Sequence, residues 1–119
     1  MKTILVATDF SHAARNAAKY AADMALAINA KLLLFHVYQI PVTYLEVPVL
    51  VNEEEIRNDA EKNILKLKQE VDGITAGKLT IETEVKMGTF FHELKETCRD
   101  TDPYAVVMGS QGTTGAEHF

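Results

Sequence analysis

The chain has 119 residues, enough to enclose one hydrophobic core and too few for a second full domain. With 47% hydrophobic and 24% charged residues it is neither a disordered nor a fibrous sequence, and a formal net charge of -5 argues against a nucleic-acid partner, which needs clustered Lys and Arg. The lone cysteine, Cys98, excludes an internal disulfide; the apolar runs are too short to span a membrane and Met1-Lys2-Thr3 opens no signal-peptide core, so a cytoplasmic protein without a membrane partner is expected.

Thr3-Ile-Leu-Val-Ala-Thr8 is a continuous apolar run, the pattern of a central parallel strand covered on both faces. Ser11 is a good N-cap for the helix that follows, in which Ala14, Ala18, Ala21, Ala25 and Ile28 recur at helical spacing. So many alanines on one stripe predict a helix lying close against a sheet. Asn29 suits the left-handed residue that stops it. Lys31 to Tyr38 is a second buried strand, and strand-helix-strand order predicts a right-handed parallel βαβ unit. Gln39 to Val51 carries Pro41 and Pro48 and reads as an irregular crossover.

Asn52 with Glu55 resembles a capping box, and Ile56, Ala60, Ile64, Leu67 and Val71 mark the inner stripe of a second helix that Asp72-Gly73 is expected to end. From Leu79 to Met87 apolar and polar residues alternate, as in a half-exposed strand at a sheet edge. Gly88-Thr89 opens a third helix with Phe91, Leu94 and Cys98 expected to point inward. Tyr104 to Met108 is a fourth strand. The order β-α-β-α-β-α-β predicts an α/β fold with an open, doubly wound parallel sheet. One difficulty comes with it: the last strand reads as if flanked on both sides, yet no further strand follows, so its outer edge is either exposed or covered from elsewhere.

Gly109-Ser-Gln-Gly112-Thr-Thr-Gly115 follows this strand, at the sheet edge where open α/β folds bind ligands. Gly109 and Gly112 allow close backbone approach, and Ser110, Thr113 and Thr114 add hydroxyl donors suited to phosphate or ribose. The spacing is neither that of a Walker loop nor G-x-G-x-x-G. Asp9 ends the first strand. If the first and fourth strands are neighbours, its carboxylate faces the 109 turn and can accept from a ribose hydroxyl or exocyclic amine; it can equally serve as a second cap of the first helix. Val37 could offer backbone groups to a base or be plain core. His12, His36, His92 and His118 lack metal-ligand spacing and read as surface or satisfied core histidines. Phe90 and Phe91 read as core plus a partly covered helix start.

Ile4-Leu-Val-Ala-Thr-Asp9-Phe-Ser11, Leu34-Phe-His-Val37, Val85-Lys-Met-Gly88 and Val106-Val-Met-Gly109-Ser-Gln-Gly112 together resemble the universal stress protein family, in the right order and over nearly the whole chain. The resemblance implies a Rossmann-like sheet of order 3-2-1-4-5. Many members of that family bind ATP through G-x2-G-x9-G-[ST], and others bind none. By position, Gly109 and Gly112 match the first two glycines, and Asp9 the acid that contacts adenine or ribose. Ala7 and Thr8 match the backbone beside that acid, Val37 the main chain that meets the base, and Met108 the side chain lining the adenine. The third glycine would fall beyond Phe119, so residues 1–119 are expected to form a single, C-terminally incomplete domain of order 3-2-1-4 without the fifth strand. In the family that strand commonly pairs two subunits, and the first helix and crossover are similar to the first half of tandem members, so a homodimer or tandem-domain partner is expected.

The expected function is a stress-response regulatory module that takes ATP or another adenine nucleotide, with or without Mg2+, at a site whose phosphate half is incomplete. No general base or arginine finger is recognisable, so the chain is expected not to be an enzyme, or at most a slow ATPase. The alternative is a stress protein that binds no nucleotide and acts through protein partners. An adenylating or pyrophosphatase relative would want a phosphate loop after the first strand, where Thr8-Asp-Phe-Ser-His12 has no glycine.

Overall fold

The structure is a computed structural model and describes residues 1–39 and 53–109. The elements in order are β1 (Thr3–Thr8), α1 (His12–Ile28), β2 (Lys31–Tyr38), α2 (Glu53–Ile74), β3 (Ile81–Met87), α3 (Phe90–Thr101) and β4 (Ala105–Gly109). Of the expected crossover Gln39 to Val51 all but Gln39, together with the Asn52 start expected for the second helix and the turn beyond Gly109, lie outside the described residues.

Among the described residues the sheet has four strands in the order β3-β2-β1-β4, all parallel. β1 is buried at every position, as a strand with neighbours on both edges and helices on both faces must be. Alternation along the strands divides the core in two. Ile4, Val6, Leu32 and Leu34 meet Ala18, Ala21, Ala22 and Ala25 of α1 and Ile64, Leu67 and Val71 of α2. Leu5, Ala7, Leu33 and Phe35 point the other way, against Phe90, Leu94 and Cys98 of α3. The strand order changes direction between β1 and β4, which leaves a switch point at their carboxyl ends.

The helix boundaries follow from local chemistry. Ser11 caps α1 by accepting from the Ala14 N–H at 3.1 Å, and Asn29 closes it at φ 58°. α2 runs past the expected Asp72-Gly73 stop to Ile74. The left-handed residues that end it are Ala76 and Gly77, at φ 55° and 72°, and the Thr75 hydroxyl donates back to the Val71 carbonyl at 3.0 Å. Gly73 keeps ordinary helical geometry, so its freedom is not used there. β3 lies at an edge, as its alternation implies.

In α3 the expected inward set is corrected: Phe90, not Phe91, packs on the core with Leu94 and Cys98, and Phe91 is 77% exposed. Residues 90, 94 and 98 are one turn apart, so they share the face that meets the sheet, and the adjacent ring is rotated away by about 100°.

Thr97 on α3 is fully buried, and its hydroxyl has no hydrogen-bond partner among the described residues. A buried, unsatisfied hydroxyl is a net cost, and valine has almost the same shape without it. Thr97→Val is therefore expected to stabilise the fold by about 1 kcal/mol, read as a higher urea midpoint at unchanged slope.

Candidate functional site

The carboxyl ends of β1, β2 and β4 and the start of α3 surround one cleft of about 300 Å³, lined by Ala7, Thr8, Asp9, His36, Val37, Phe90, Phe91, Met108 and Gly109. That volume sits at the lower end of what a small-molecule site needs. Of the residues named from the sequence, Ala7, Thr8, Asp9, Val37, Met108 and Gly109 share this cleft. Ser110 and Gly112 lie outside the described residues. The register explains the convergence: Ala7 pairs with Phe35 on one side and Met108 on the other, and Thr8 pairs with Gly109.

Asp9 follows the last residue of β1. Its Oδ1 accepts the Ser11 N–H at 2.9 Å, so the carboxylate supports the start of α1 as well as bordering the cleft. Both roles weighed for it in the sequence are compatible with this position. Phe10, next along, holds φ 65° in the left-handed region, and its N–H donates to the Thr8 hydroxyl at 3.0 Å.

Gly109 is the last residue of β4 rather than the first of a turn. A Cβ there would stand 2.6 Å from the Ala13 carbonyl oxygen and 2.9 Å from the Ala17 Cβ. The missing side chain is thus required by the close approach of α1 to β4, a demand separate from any ligand.

Three lining residues escaped the sequence reading: His36, Phe90 and Phe91. His36 is a satisfied histidine, as its type predicted, yet its partner is a strand end at the cleft. Its Nδ1 lies 2.7 Å from the Thr8 carbonyl oxygen. Phe90 and Phe91 meet edge to face with centroids 5.2 Å apart. The paired phenylalanines after Gly88-Thr89 were the available signal, since two successive residues of one helix cannot both face the same sheet.

Next to the cleft, the buried Tyr38 hydroxyl donates to Glu53 Oε1 at 3.1 Å, joining the end of β2 to the start of α2. Burial, then the bond to Glu53, raises the Tyr38 pKa above the ordinary 10.0. With the folded-state value above the unfolded one, the neutral phenol's contribution is complete below pH 10.0 and is lost as pH rises through the folded value. Urea stability is expected to fall as pH rises above 10.0, and Tyr38→Phe should flatten this part of the profile.

A parallel sheet in the order β3-β2-β1-β4 with helices on both faces and a cleft at its switch point defines an α/β protein of Rossmann-like class. The model of the universal stress protein family matches residues 1–119, and the chain belongs to that family. Comparison with curated protein sequences gives no match. Among solved structures, universal stress protein UspA from Lactobacillus plantarum is similar at 22% identity and TM-score 0.77, covering 99% of this chain and 83% of its own. A family protein from Arabidopsis thaliana with AMP bound is 17% identical, at TM-score 0.63 over 99% of this chain and 82% of its own. A universal stress protein in complex with cAMP is 21% identical, at TM-score 0.64 over 88% and 69%. At these identities the likenesses establish the shared fold.

Proposed function

We propose that this chain is a stress-response regulatory module that binds an adenine nucleotide in the cleft between the ends of β1 and β4. The make-up of the wall carries the reading. Val37, Phe90, Phe91 and Met108 offer apolar and aromatic surface around the Asp9 carboxylate, and no Lys or Arg is among the described lining residues. Apolar walls desolvate a flat base while a few polar groups orient it, so the described part of the cleft suits a nucleoside better than its phosphates. The AMP and cAMP complexes of proteins sharing the fold support adenine as the base.

In this reading Asp9 accepts from a ribose hydroxyl or the exocyclic amine, Ala7 and Thr8 border it, the Val37 main chain meets the base and Met108 covers it. Gly109 and Gly112, by their match to the family's first two glycines, and Ser110, by its hydroxyl, are the residues assigned to the phosphate side. The nucleotide is a regulatory or structural ligand, any hydrolysis is slow, and Mg2+ would accompany a polyphosphate. Residues 1–119 act here as one domain of a cytoplasmic protein that works as a homodimer or beside a tandem partner.

Calorimetric titration is expected to show AMP and adenosine binding about as well as ATP, with Asp9→Asn weakening all three. A strong preference for ATP would contradict it. Thermal shift separates this from a protein that binds only other proteins, because AMP at a hundred times its dissociation constant should add roughly 2.7 kcal/mol of stability.

A further inference from the structure

We propose that His36 is the positioning residue of this cleft, a clamp that holds the Thr8-Asp9-Phe10 turn and thereby sets the direction of the Asp9 carboxylate. For its ligand the inference rests on the adenine-nucleotide reading; for the clamp itself it rests on the geometry of the turn.

The β1–β2 ladder ends with the pair Ala7 and Phe35. Beyond it, the last carbonyl of β1, that of Thr8, receives the His36 side chain at 2.7 Å. A carbonyl oxygen can only accept, so in this contact Nδ1 carries the hydrogen and donates it. The same ring lies against Phe10, with centroids 4.4 Å apart and planes at 37°. His36 thus grips the residue before Asp9 through a hydrogen bond and the residue after it through ring contact.

That grip matters because the turn is not a relaxed one. Phe10 is an aromatic residue at φ 65°, a strained conformation that persists only where its surroundings impose it. The surroundings here are the Thr8 hydroxyl, which accepts the Phe10 N–H at 3.0 Å, the core on the α1 and α2 face, and the His36 ring. The Thr8 hydroxyl bond lies within the turn itself, whereas the His36 ring reaches from β2 to both residues that flank Asp9, so removing it takes away the turn's tie to the neighbouring strand. The turn should then relax toward ordinary backbone angles and carry the carboxylate with it. His36 need not touch the ligand to control its affinity.

The test compares His36→Asn, whose amide can donate from nearly the place of Nδ1, with His36→Gln, whose donor sits farther out, and His36→Leu, which has none. Two readouts are taken on each. In amide hydrogen exchange followed by NMR, the Phe10 and Ser11 N–H groups should exchange at least about tenfold faster in His36→Leu and His36→Gln and return toward wild-type rates in His36→Asn, while Leu5 and Leu33 stay unchanged. With AMP as the probe, calorimetry should give about tenfold weaker binding for His36→Leu and His36→Gln and recovery in His36→Asn. Wild-type exchange at Phe10 and Ser11 in His36→Leu would overturn the clamp, as would equal AMP affinity in all variants. If His36→Leu does not fold, the contrast between Asn and Gln decides alone. If wild type binds no AMP, the nucleotide reading fails, and the exchange rates still decide whether His36 holds the turn.

Discussion

Gly109→Val is expected to destabilise the protein by about 3 kcal/mol or more, a large part of the 5–15 kcal/mol that holds a domain of this size together. The reason is the nature of the obstacle. A Cβ at 109 would meet the Ala13 carbonyl oxygen at 2.6 Å, a backbone atom in the first turn of α1 that cannot rotate aside as a long side chain can. Relief requires α1 to lift from β4 or β4 to slip from β1, and either movement disturbs the packing around the buried Ala14 and Ala18. Even Gly109→Ala should cost about 1–3 kcal/mol. Urea denaturation gives both values, and a melting temperature lowered by on the order of 10 °C for the valine variant would accompany them. Wild-type stability in Gly109→Val would show that α1 yields more readily than close packing allows.

Phe35→Ala should cost about 3–5 kcal/mol and take ligand affinity with it. Phe35 is fully buried in β2, at the centre of the smaller core cluster, where Leu5, Ala7 and Leu33 meet Phe90, Leu94 and Cys98. α3 is fastened to the sheet through that cluster. A cavity beneath it loosens the one helix that carries Phe90 and Phe91, the aromatic wall of the cleft. The combined readout is specific: a lower urea midpoint together with weaker AMP binding measured well below the unfolding temperature. Retention of full AMP affinity in a destabilised Phe35→Ala protein would separate the cleft from the packing of α3.

The two substitutions also mark where the sequence was easy and hard to read. Phe35 lies in an apolar run whose burial is evident from pattern alone, and β1, β2 and the alanine stripe of α1 are equally plain because period and composition agree there. Gly109 is harder. A glycine after a strand reads as a turn residue, and only the distance to Ala13 reveals that it is a packing residue. Phe90 and Phe91 are ambiguous for another reason. Helical phase in a first turn depends on where the helix begins, and a shift of one residue exchanges the buried ring for the exposed one.

The amino-acid order by itself determined the parallel α/β class, the sequence of elements, the helix stop at Asn29 and the family, because these rest on local propensity, periodicity and motif. It also named Ala7, Thr8, Asp9, Val37, Met108 and Gly109, which share one cleft. The tertiary structure alone decided that His36 joins them through the Thr8 carbonyl, that Phe91 stands outside the core beside that cleft, and that Gly109 answers to α1. The first and last depend on contacts between residues far apart in the chain, which leave no period or spacing in the sequence because strand register and helix placement fix them, and the second depends on the residue at which α3 begins.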